Sequence, residues 1–259
     1  MSKFTWFTGQ RPALTQAQLT RRQALAETCY LNDGPLNEQR LVVLDLETSG
    51  LNMRRDQVLS IGAVVIDQGA IDLGQQFECT LLREGHQASA STLIHGIAPS
   101  EIANGEEPAE ALLSFMEFVG DSPLLAFHAE FDQRMLARAL KQSLGYRLQH
   151  AFFDVAEIAP LVCPKAKLPH AGLDDWTQHF GLQVQQRHHA SADALVTAEL
   201  ALILFSKARQ QQLDNLPALL QQLNSRRRQR AHPRSPQVPG WHHQVAPAPS
   251  LPRPHPRDD

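Results

Sequence analysis

The chain has 259 residues, of which 42% are hydrophobic and 20% charged, and its formal net charge is −3 at pH 7. This composition is typical of a globular protein with one large domain or two small ones. The sequence has no apolar run near the roughly 18 residues of a membrane helix, and its first residues lack a signal-peptide pattern. Three scattered cysteines argue against a disulfide framework and a zinc ribbon, so we expect a cytoplasmic protein with no membrane partner.

The predicted elements begin with an N-terminal extension at residues 1–40. Within it, residues 15–30 have a helical composition with Thr15 as a candidate N-cap, and the turn-forming sequence LNDGPLNEQ then ends the helix. The run LVVLDL at residues 41–46 is continuously apolar and predicts a buried central strand. Two β-rich runs within residues 57–82 flank a glycine-containing turn, which predicts a hairpin.

Helices dominate the next part of the chain. They are predicted at residues 106–119, 130–145 and 191–208, with two shorter ones in FFDVAEIAPLV and LDDWTQHFG. Ser191 is the expected N-cap of the last long helix, and a short apolar strand is predicted at residues 123–128. Early strands followed by helices that alternate with a fourth strand indicate an α/β fold with a mixed sheet. This pattern does not decide whether the sheet has a fifth strand.

The C-terminal segment has a different composition. From about residue 209 the chain becomes Gln-rich, then basic, then Pro-rich, with eight of the 17 prolines in residues 231–259. Residues 225–259 contain seven arginines against two aspartates, which leaves the rest of the chain acidic. This composition predicts a disordered tail at residues 209–259.

Two acidic residues lie at the end of the predicted central strand. Asp45 and Glu47 are two positions apart, so on a strand their side chains project from the same face. Two ionised carboxylates this close repel each other unless cations lie between them, and hard oxygen ligands suit Mg²⁺ or Mn²⁺. A strand-end acid followed by a solvated loop residue is the ordinary alternative, and a lone D-x-E pattern favours that alternative.

Three further residues strengthen the metal hypothesis. Asp132 and Asp193 each stand at the start of a predicted helix, where a carboxylate can also serve as a cap. His188 precedes Asp193 by five residues, although with 12 histidines in the chain any single one is more often a loop residue. As an ordered set, the four acids and the histidine suit a site that holds divalent metal ions and activates a water against a phosphodiester.

The arrangement of these residues resembles a known family. DLETSGL at residues 45–51, HAEFD at residues 128–132 and the pattern H-x-A-x-x-D at His188, Ala190 and Asp193 are similar to the motifs of the DEDD exonuclease superfamily in its histidine-containing branch. That branch includes the proofreading epsilon subunit of bacterial DNA polymerase III, oligoribonuclease and ribonuclease T. The resemblance covers about residues 40–206, and its spacing selects His188 rather than His189, for which a structural or surface role is expected.

The resemblance implies a ribonuclease-H-like fold, with a five-stranded mixed sheet flanked by helices, in an exonuclease domain at residues 41–208. It also implies two divalent metal ions, Mg²⁺ or Mn²⁺, with Asp45 bridging both. Glu47 and Asp193 would complete the ion that carries the water, Asp132 would support the other ion, and His188 would act as general base. A 3′→5′ exonuclease of this type releases nucleoside 5′-monophosphates.

Further residues are implied to contact the terminal nucleotide. They are Thr48, Leu51 and His95, where Leu51 would wedge between the last two bases. The alternatives are that Leu51 covers the core and that His95 is an ordinary helix-end histidine. His128 stands where the family often has Asn, so a second imidazole is expected near the metals, and Ala90 stands where the epsilon subunit has a glutamate.

Three hypotheses about function follow. The favoured one is 3′→5′ hydrolysis of single-stranded DNA ends, in proofreading or repair with a DNA polymerase or repair partner, although the tail has no convincing clamp-binding motif. The second keeps the chemistry but takes short RNA, and the third is a catalytically silent scaffold that binds nucleic acid. RRRQR at residues 226–230 could attract phosphate backbones or could simply be a solubilising terminus, and deleting residues 211–259 is expected to leave cleavage intact.

Overall fold

The computed structural model describes residues 13–26, 31–85, 95–168, 170–184 and 187–231. The strands are β1 (Leu41–Thr48), β2 (Val58–Asp67), β3 (Ala70–Thr80), β4 (Leu124–Ala126) and β5 (Phe152–Asp154). The helices are α1 (Gln16–Ala24), α2 (Pro99–Ala103), α3 (Pro108–Val119), α4 (Ala129–Ser143), α5 (Val155–Val162), α6 (Leu173–Phe180), α7 (Ala190–Gln210) and α8 (Leu216–Ala231). None of the helices in these ranges combines the length and apolar character needed to cross a membrane.

The strands form one mixed sheet in the order β3-β2-β1-β4-β5. The β1–β2 and β2–β3 pairs are antiparallel, whereas β1–β4 and β4–β5 are parallel. Gln68 and Gly69 connect β2 to β3, and both have positive φ, which matches the twist of a two-residue hairpin. The five-stranded mixed sheet flanked by helices confirms the predicted ribonuclease-H-like fold, including the hairpin and the central position of β1.

Helices cover both faces of the sheet, and β1 alternates between them. Leu41 and Val43 pack into the core beneath α5, α6, α7 and α8. Val42, Leu44 and Leu46 pack into the opposite core, beneath α3 and α4. Because strand residues alternate in direction, this arrangement sends Asp45 and Glu47 to the α7 side of the sheet.

The N-terminal helix packs on the domain as an ordered element. Thr15 caps α1 through a capping box with Gln18, as its sequence predicts. Arg21 joins α1 to α3 through ion pairs with Glu110 and Glu117, at 2.5 and 2.8 Å. The helix of the expected extension is therefore present, but it ends at Ala24 rather than continuing to the predicted residue 30, and polar contacts attach it to α3.

Two of the predicted helix boundaries are wrong. Residues 152–154 form the fifth strand rather than a helix, and α5 begins only after Asp154, whose carboxylate accepts a hydrogen bond from the backbone N–H of Ala156 at 2.9 Å. Phe153 contributes to the core from this strand, which explains why an apolar run here favours pairing with β4. The N-cap of α7 is His189 and not Ser191.

The predicted disorder from residue 209 is wrong for the described residues up to 231. Helix α8 buries Leu216, Leu219 and Leu223 in the same core as α5 and α7. The backbone N–H of Leu36 also donates to the carbonyl of Asp214 at 2.8 Å. These apolar positions lie at helical spacing within a Gln-rich segment, so average composition concealed an amphipathic helix. The folded domain therefore extends past the predicted boundary at residue 208, and residues 232–259 lie outside the described part of the chain.

Candidate active site

Three of the predicted acids meet on the α7 side of the sheet. One carboxylate oxygen each from Asp45, Glu47 and Asp193 lie within 4.8 Å of one another. Asp45 and Glu47 come from the end of β1, and Asp193 comes from the first turn of α7. The side chain of Asp193 is buried, whereas Asp45 and Glu47 are partly exposed. The structure thus brings together residues that are almost 150 positions apart in the sequence.

A glycine on the neighbouring strand allows Asp193 to come this close. Gly62 on β2 pairs with Asp45 on β1. A Cβ atom at Gly62 would lie 2.1 Å from the backbone carbon of Ala190 and 2.4 Å from its carbonyl oxygen. Only a residue without a side chain permits this approach, so Gly62 seats the start of α7 against the sheet beside Asp45. The sequence pattern of β2 had not marked this glycine as a site residue.

The fourth predicted acid, Asp132, lies in the first turn of α4 and is 4% exposed. Burial is the main reason why its pKa rises to about 8, and the charges of Asp154 and Glu47 add to that rise. Burial is also the main reason why the pKa of Asp45 lies well above its ordinary range, and the charges of Asp132 and Glu47 raise it further. Asp132 is therefore near enough to Asp45 to interact with it strongly, although it is not in the group of three carboxylates within 4.8 Å.

The site concentrates negative charge that water solvates poorly. The pKa of Glu47 rises to about 7, first because of burial and then because of the charge of Asp193, while Arg187 opposes the rise. Carboxylates held together in a desolvated place are stable as anions only when a cation compensates them. Because all the donors are carboxylate oxygens, the site fits hard divalent cations such as Mg²⁺ or Mn²⁺.

Arg187 supplies one cation to the site, and sequence reasoning missed it. Its Nε donates to Asp174 Oδ1 at 2.5 Å, and its Nη1 donates to Asp193 Oδ1. The guanidinium thereby ties the start of α6 to the start of α7. Its position directly before His188 was visible in the sequence, but its pairing with an aspartate 13 residues away depends on the fold.

The two adjacent histidines have different surroundings. The backbone N–H of His188 donates to Asp193 Oδ2 at 3.0 Å, while its side chain is exposed and its φ is 63°. The imidazole of His189 lies 3.3 Å from Glu78 Oε1 and 3.1 Å from Ser191 Oγ. These contacts agree with the structural role expected for His189. The ring of His188 is exposed, and its backbone is bonded directly to one of the acids.

The three residues predicted to contact substrate differ in exposure: Thr48 and His95 are buried, and Leu51 is exposed. The Thr48 hydroxyl donates to the carbonyl of Gly50 at 2.9 Å and so stabilises the turn after β1. Leu51 in that turn is 84% exposed, which rules out the alternative that it covers the core. His95 is buried, accepts a hydrogen bond from the backbone N–H of Ile97 at 3.1 Å, and lines a cavity of about 80 Å³ together with Glu47.

His128 does not extend the group of clustered acids. Its ring packs against Phe127 with centroids 4.8 Å apart, and its side chain is exposed. Its backbone N–H donates to Asp154 Oδ1 at 3.0 Å, and its φ of 63° turns the chain from β4 into α4. In the described structure, His128 therefore shapes the entry to the helix that carries Asp132.

Comparisons with known proteins identify the family of the chain. The model of the RNase T family, described as Exonuclease, matches residues 42–201. A PolC-type DNA polymerase III from Thermotoga maritima is 32% identical over 172 residues, which are 66% of this chain and 12% of that protein. A DNA polymerase III subunit epsilon-like protein from Rhodobacter capsulatus is 32% identical over 201 residues, or 76% of this chain and 27% of that protein. The chain thus spans only a small part of these relatives.

Solved structures share the fold at lower identity. An Escherichia coli ExoI–ssDNA complex in its zinc-bound form has a TM-score of 0.56 and 21% identity, covering 68% of this chain and 42% of that chain. Exonuclease X in complex with 5′ overhanging duplex DNA has a TM-score of 0.53 and 18% identity, covering 65% of this chain and 92% of that chain. With the family model matching more than half of the sequence, the chain belongs to the RNase T exonuclease family, within the DEDD superfamily of metal-dependent 3′→5′ exonucleases.

Proposed function

We propose that this protein hydrolyses the terminal phosphodiester at the 3′ end of single-stranded DNA and releases nucleoside 5′-monophosphates. The observation that carries the proposal is the convergence of Asp45, Glu47 and Asp193 within 4.8 Å, with the buried Asp132 close enough to influence Asp45. A structural cap or a solvated loop explains each acid singly, but neither explains why their carboxylates meet in a desolvated place.

The proposed cofactors are two divalent ions, Mg²⁺ or Mn²⁺. Asp45, Glu47, Asp132 and Asp193 would hold them, and the donor set supports this choice because it contains only carboxylate oxygens. Such ions supply Lewis-acid stabilisation of the charge that develops on the phosphate, and they make a bound water more acidic.

The protein's own residues would then orient the strand and move the proton. The exposed ring of His188 would take the proton from the attacking water through a ring nitrogen, and its backbone is held on Asp193. The water oxygen forms a bond to phosphorus while the bond between phosphorus and the 3′-oxygen of the penultimate nucleotide breaks. That oxygen takes a proton from solvent and becomes the new 3′-hydroxyl end of the strand, and the phosphate leaves on the 5′-oxygen of the released nucleotide. The backbone around Thr48, the exposed side chain of Leu51 and the His95 cavity would contact the terminal nucleotide.

DNA is the favoured substrate because the similar proteins include PolC-type and epsilon-like relatives of DNA polymerase III. The same relatives favour a DNA polymerase or repair partner, and we place the protein in the cytoplasm on its cysteine pattern. Short RNA remains the alternative substrate, for which the 2′-hydroxyl would be the discriminating group. The silent-scaffold hypothesis is disfavoured because all four acids and His188 are present.

One assay tests the proposal. The purified full chain is incubated with single-stranded DNA and RNA oligomers that are labelled at either the 3′ or the 5′ end, in Mg²⁺, Mn²⁺ or EDTA. We expect stepwise shortening from the 3′ end of DNA, mononucleotide product from the first turnover, and no cleavage in EDTA or by Asp45→Ala. Internal fragments, or cleavage that persists in EDTA and in the variant, would refute the exonuclease proposal, and faster turnover of RNA would reverse the substrate preference.

A further inference from the structure

The last two turns of α8 are rich in arginine. Arg226, Arg227 and Arg228 follow one another there, after the leucines that fix α8 to the core. Arg226 is partly buried, and Arg227 and Arg228 are exposed. The location of this arginine turn (residues 226–228) relative to the active site determines what it can bind.

An ion pair fixes the arginine turn on the start of α5. Arg227 Nε and Nη2 both approach Glu157 Oε2, at 2.7 and 2.5 Å. Glu157 lies in the first turn of α5, which begins directly after Asp154 at the end of β5. The arginine turn is therefore held beside the carboxyl end of β5.

This end of β5 lies on the same edge of the sheet as the active site. Strands β1, β4 and β5 are parallel neighbours, so their carboxyl ends share one edge. Asp154 accepts a hydrogen bond from the backbone N–H of His128, immediately before the helix that carries Asp132. Since β5 is two strands away from β1, its end is about 10 Å from the end that carries Asp45 and Glu47.

The charges along this edge make a cation useful to a bound strand. Besides Glu157, the carboxylates of Asp154 and Glu130 are near enough to raise the pKa of Arg227. A nucleic acid whose 3′ end occupies the active site and whose strand runs along this edge brings its next phosphates close to these carboxylates, which repel them. Within the described residues, the arginine turn lies next to these carboxylates and offers adjacent positive charges to the phosphates.

We propose that the arginine turn of α8 binds the phosphodiester backbone of the substrate strand, a short distance upstream of its 3′ end. The inference rests on the proposed function and extends it, because it predicts that affinity depends on strand length. A dinucleotide occupies the active site without reaching α8, whereas a longer strand gains contacts with the arginines. Arginines at the end of a helix also complement its dipole, and a role limited to that would leave nucleic-acid affinity unchanged.

The test measures binding and cleavage separately in the full chain. Arg226→Gln/Arg228→Gln removes two charges but leaves the Arg227–Glu157 ion pair in place. The matched control is Lys165→Gln/Arg209→Gln, in which Arg209 stands at the far end of α7, roughly 24 Å along the helix from Asp193. Binding of labelled dT12 is measured in an Asp45→Asn background across a salt series, and hydrolysis of the dinucleotide is measured in the active protein.

We expect the arginine variant to bind dT12 about five- to tenfold more weakly at low salt, with a salt slope smaller by roughly 1.4. Dinucleotide hydrolysis should be unchanged, and Arg226→Lys/Arg228→Lys should restore binding. Unchanged affinity for dT12, an equal loss in the control pair, or an equal loss with the lysine pair would overturn the inference. Failure of the proposed function would give a different result, because the unsubstituted protein would then show no metal-dependent cleavage.

Discussion

At the scale of single residues, the site is a group of acids whose ionisation is unfavourable without a cation. The pKa of Glu47 lies near 7 and that of Asp132 near 8, in both cases mainly because of burial. Arg187 lowers the pKa of Asp45 and of Glu47, but one guanidinium does not balance four carboxylates. Metal binding should therefore release protons and strengthen as the pH rises towards 8.

The first prediction concerns the stability of the metal-free protein. The pKa of Glu47 is near 4.5 in the unfolded chain and near 7 in the folded protein. The pKa of Asp132 is near 3.8 in the unfolded chain and near 8 in the folded protein. Between these values the folded state binds more protons than the unfolded state, so these groups favour folding at low pH and lose that contribution as the pH rises to 8. We expect the melting temperature in EDTA to fall from pH 5 to pH 8.

Glu47→Gln/Asp132→Asn is the control for this pH dependence, because it removes both titrations. Its melting temperature should depend less on pH over the same range, and saturating Mn²⁺ should flatten the dependence of the unsubstituted protein. An equally steep decline in the double variant would show that other groups are responsible.

The second prediction separates the adjacent histidines. His188→Ala should lower kcat by about 10²- to 10⁴-fold, because it removes the proposed base, while Mn²⁺ affinity changes little. His189→Ala should lose its contacts with Glu78 and Ser191 and widen the cavity that it lines with His95, but it should keep most of the activity. Initial rates and calorimetric Mn²⁺ titrations check both variants, and a larger kinetic defect in His189→Ala would contradict the assignment.

At the scale of secondary structure, the parts with a regular period could be predicted from the sequence. The i, i+2 spacing of Asp45 and Glu47 on a buried apolar run gave their common face, and the hairpin followed from its turn. Arg187 could not be predicted because it pairs through tertiary structure with Asp174. Helix α8 was missed because glutamines and arginines surround its three core leucines, so composition outweighed periodicity.

The third prediction concerns the packing of α7 on β2. Gly62→Ala should place a Cβ about 2.1 Å from the backbone of Ala190, so the start of α7 must move away and carry Asp193 with it. Overpacking of this type costs roughly 1–3 kcal/mol of unfolding free energy, and here it should also weaken Mn²⁺ binding.

Gly74→Ala provides the comparison for Gly62→Ala, because its added Cβ would meet only the side chain of Asp72, at 3.2 Å on an exposed strand. Chemical denaturation and Mn²⁺ titration are measured for both variants. Native stability and metal affinity in Gly62→Ala would show that the close packing of α7 on β2 does not position Asp193.

At the scale of the whole molecule, the folded unit is larger than the segment that carries the motifs. Leu36 before β1 and Leu216, Leu219 and Leu223 after α7 belong to one core. The expectation that residues 211–259 are dispensable therefore has to be replaced. The segment whose removal the described core tolerates begins at residue 232.

The fourth prediction compares two truncations. Deleting residues 232–259 should leave the melting temperature and Mn²⁺-dependent hydrolysis of a dinucleotide close to those of the full chain. Deleting residues 211–259 should lower the melting temperature strongly, because burial of each leucine contributes about 1.5–3 kcal/mol and three are lost. Scanning calorimetry distinguishes the two, and equal stability of both truncations would contradict the place of α8 in the core.

The central claim is that acids from β1, α4 and α7 form one site for divalent cations. It is tested most directly by anomalous scattering from crystals of the protein soaked in Mn²⁺. We predict strong peaks in bonding distance of the Asp45, Glu47 and Asp193 carboxylates, and their loss in Asp45→Asn. A wild-type map in which Mn²⁺ binds elsewhere and leaves these three carboxylates without a peak would contradict the account.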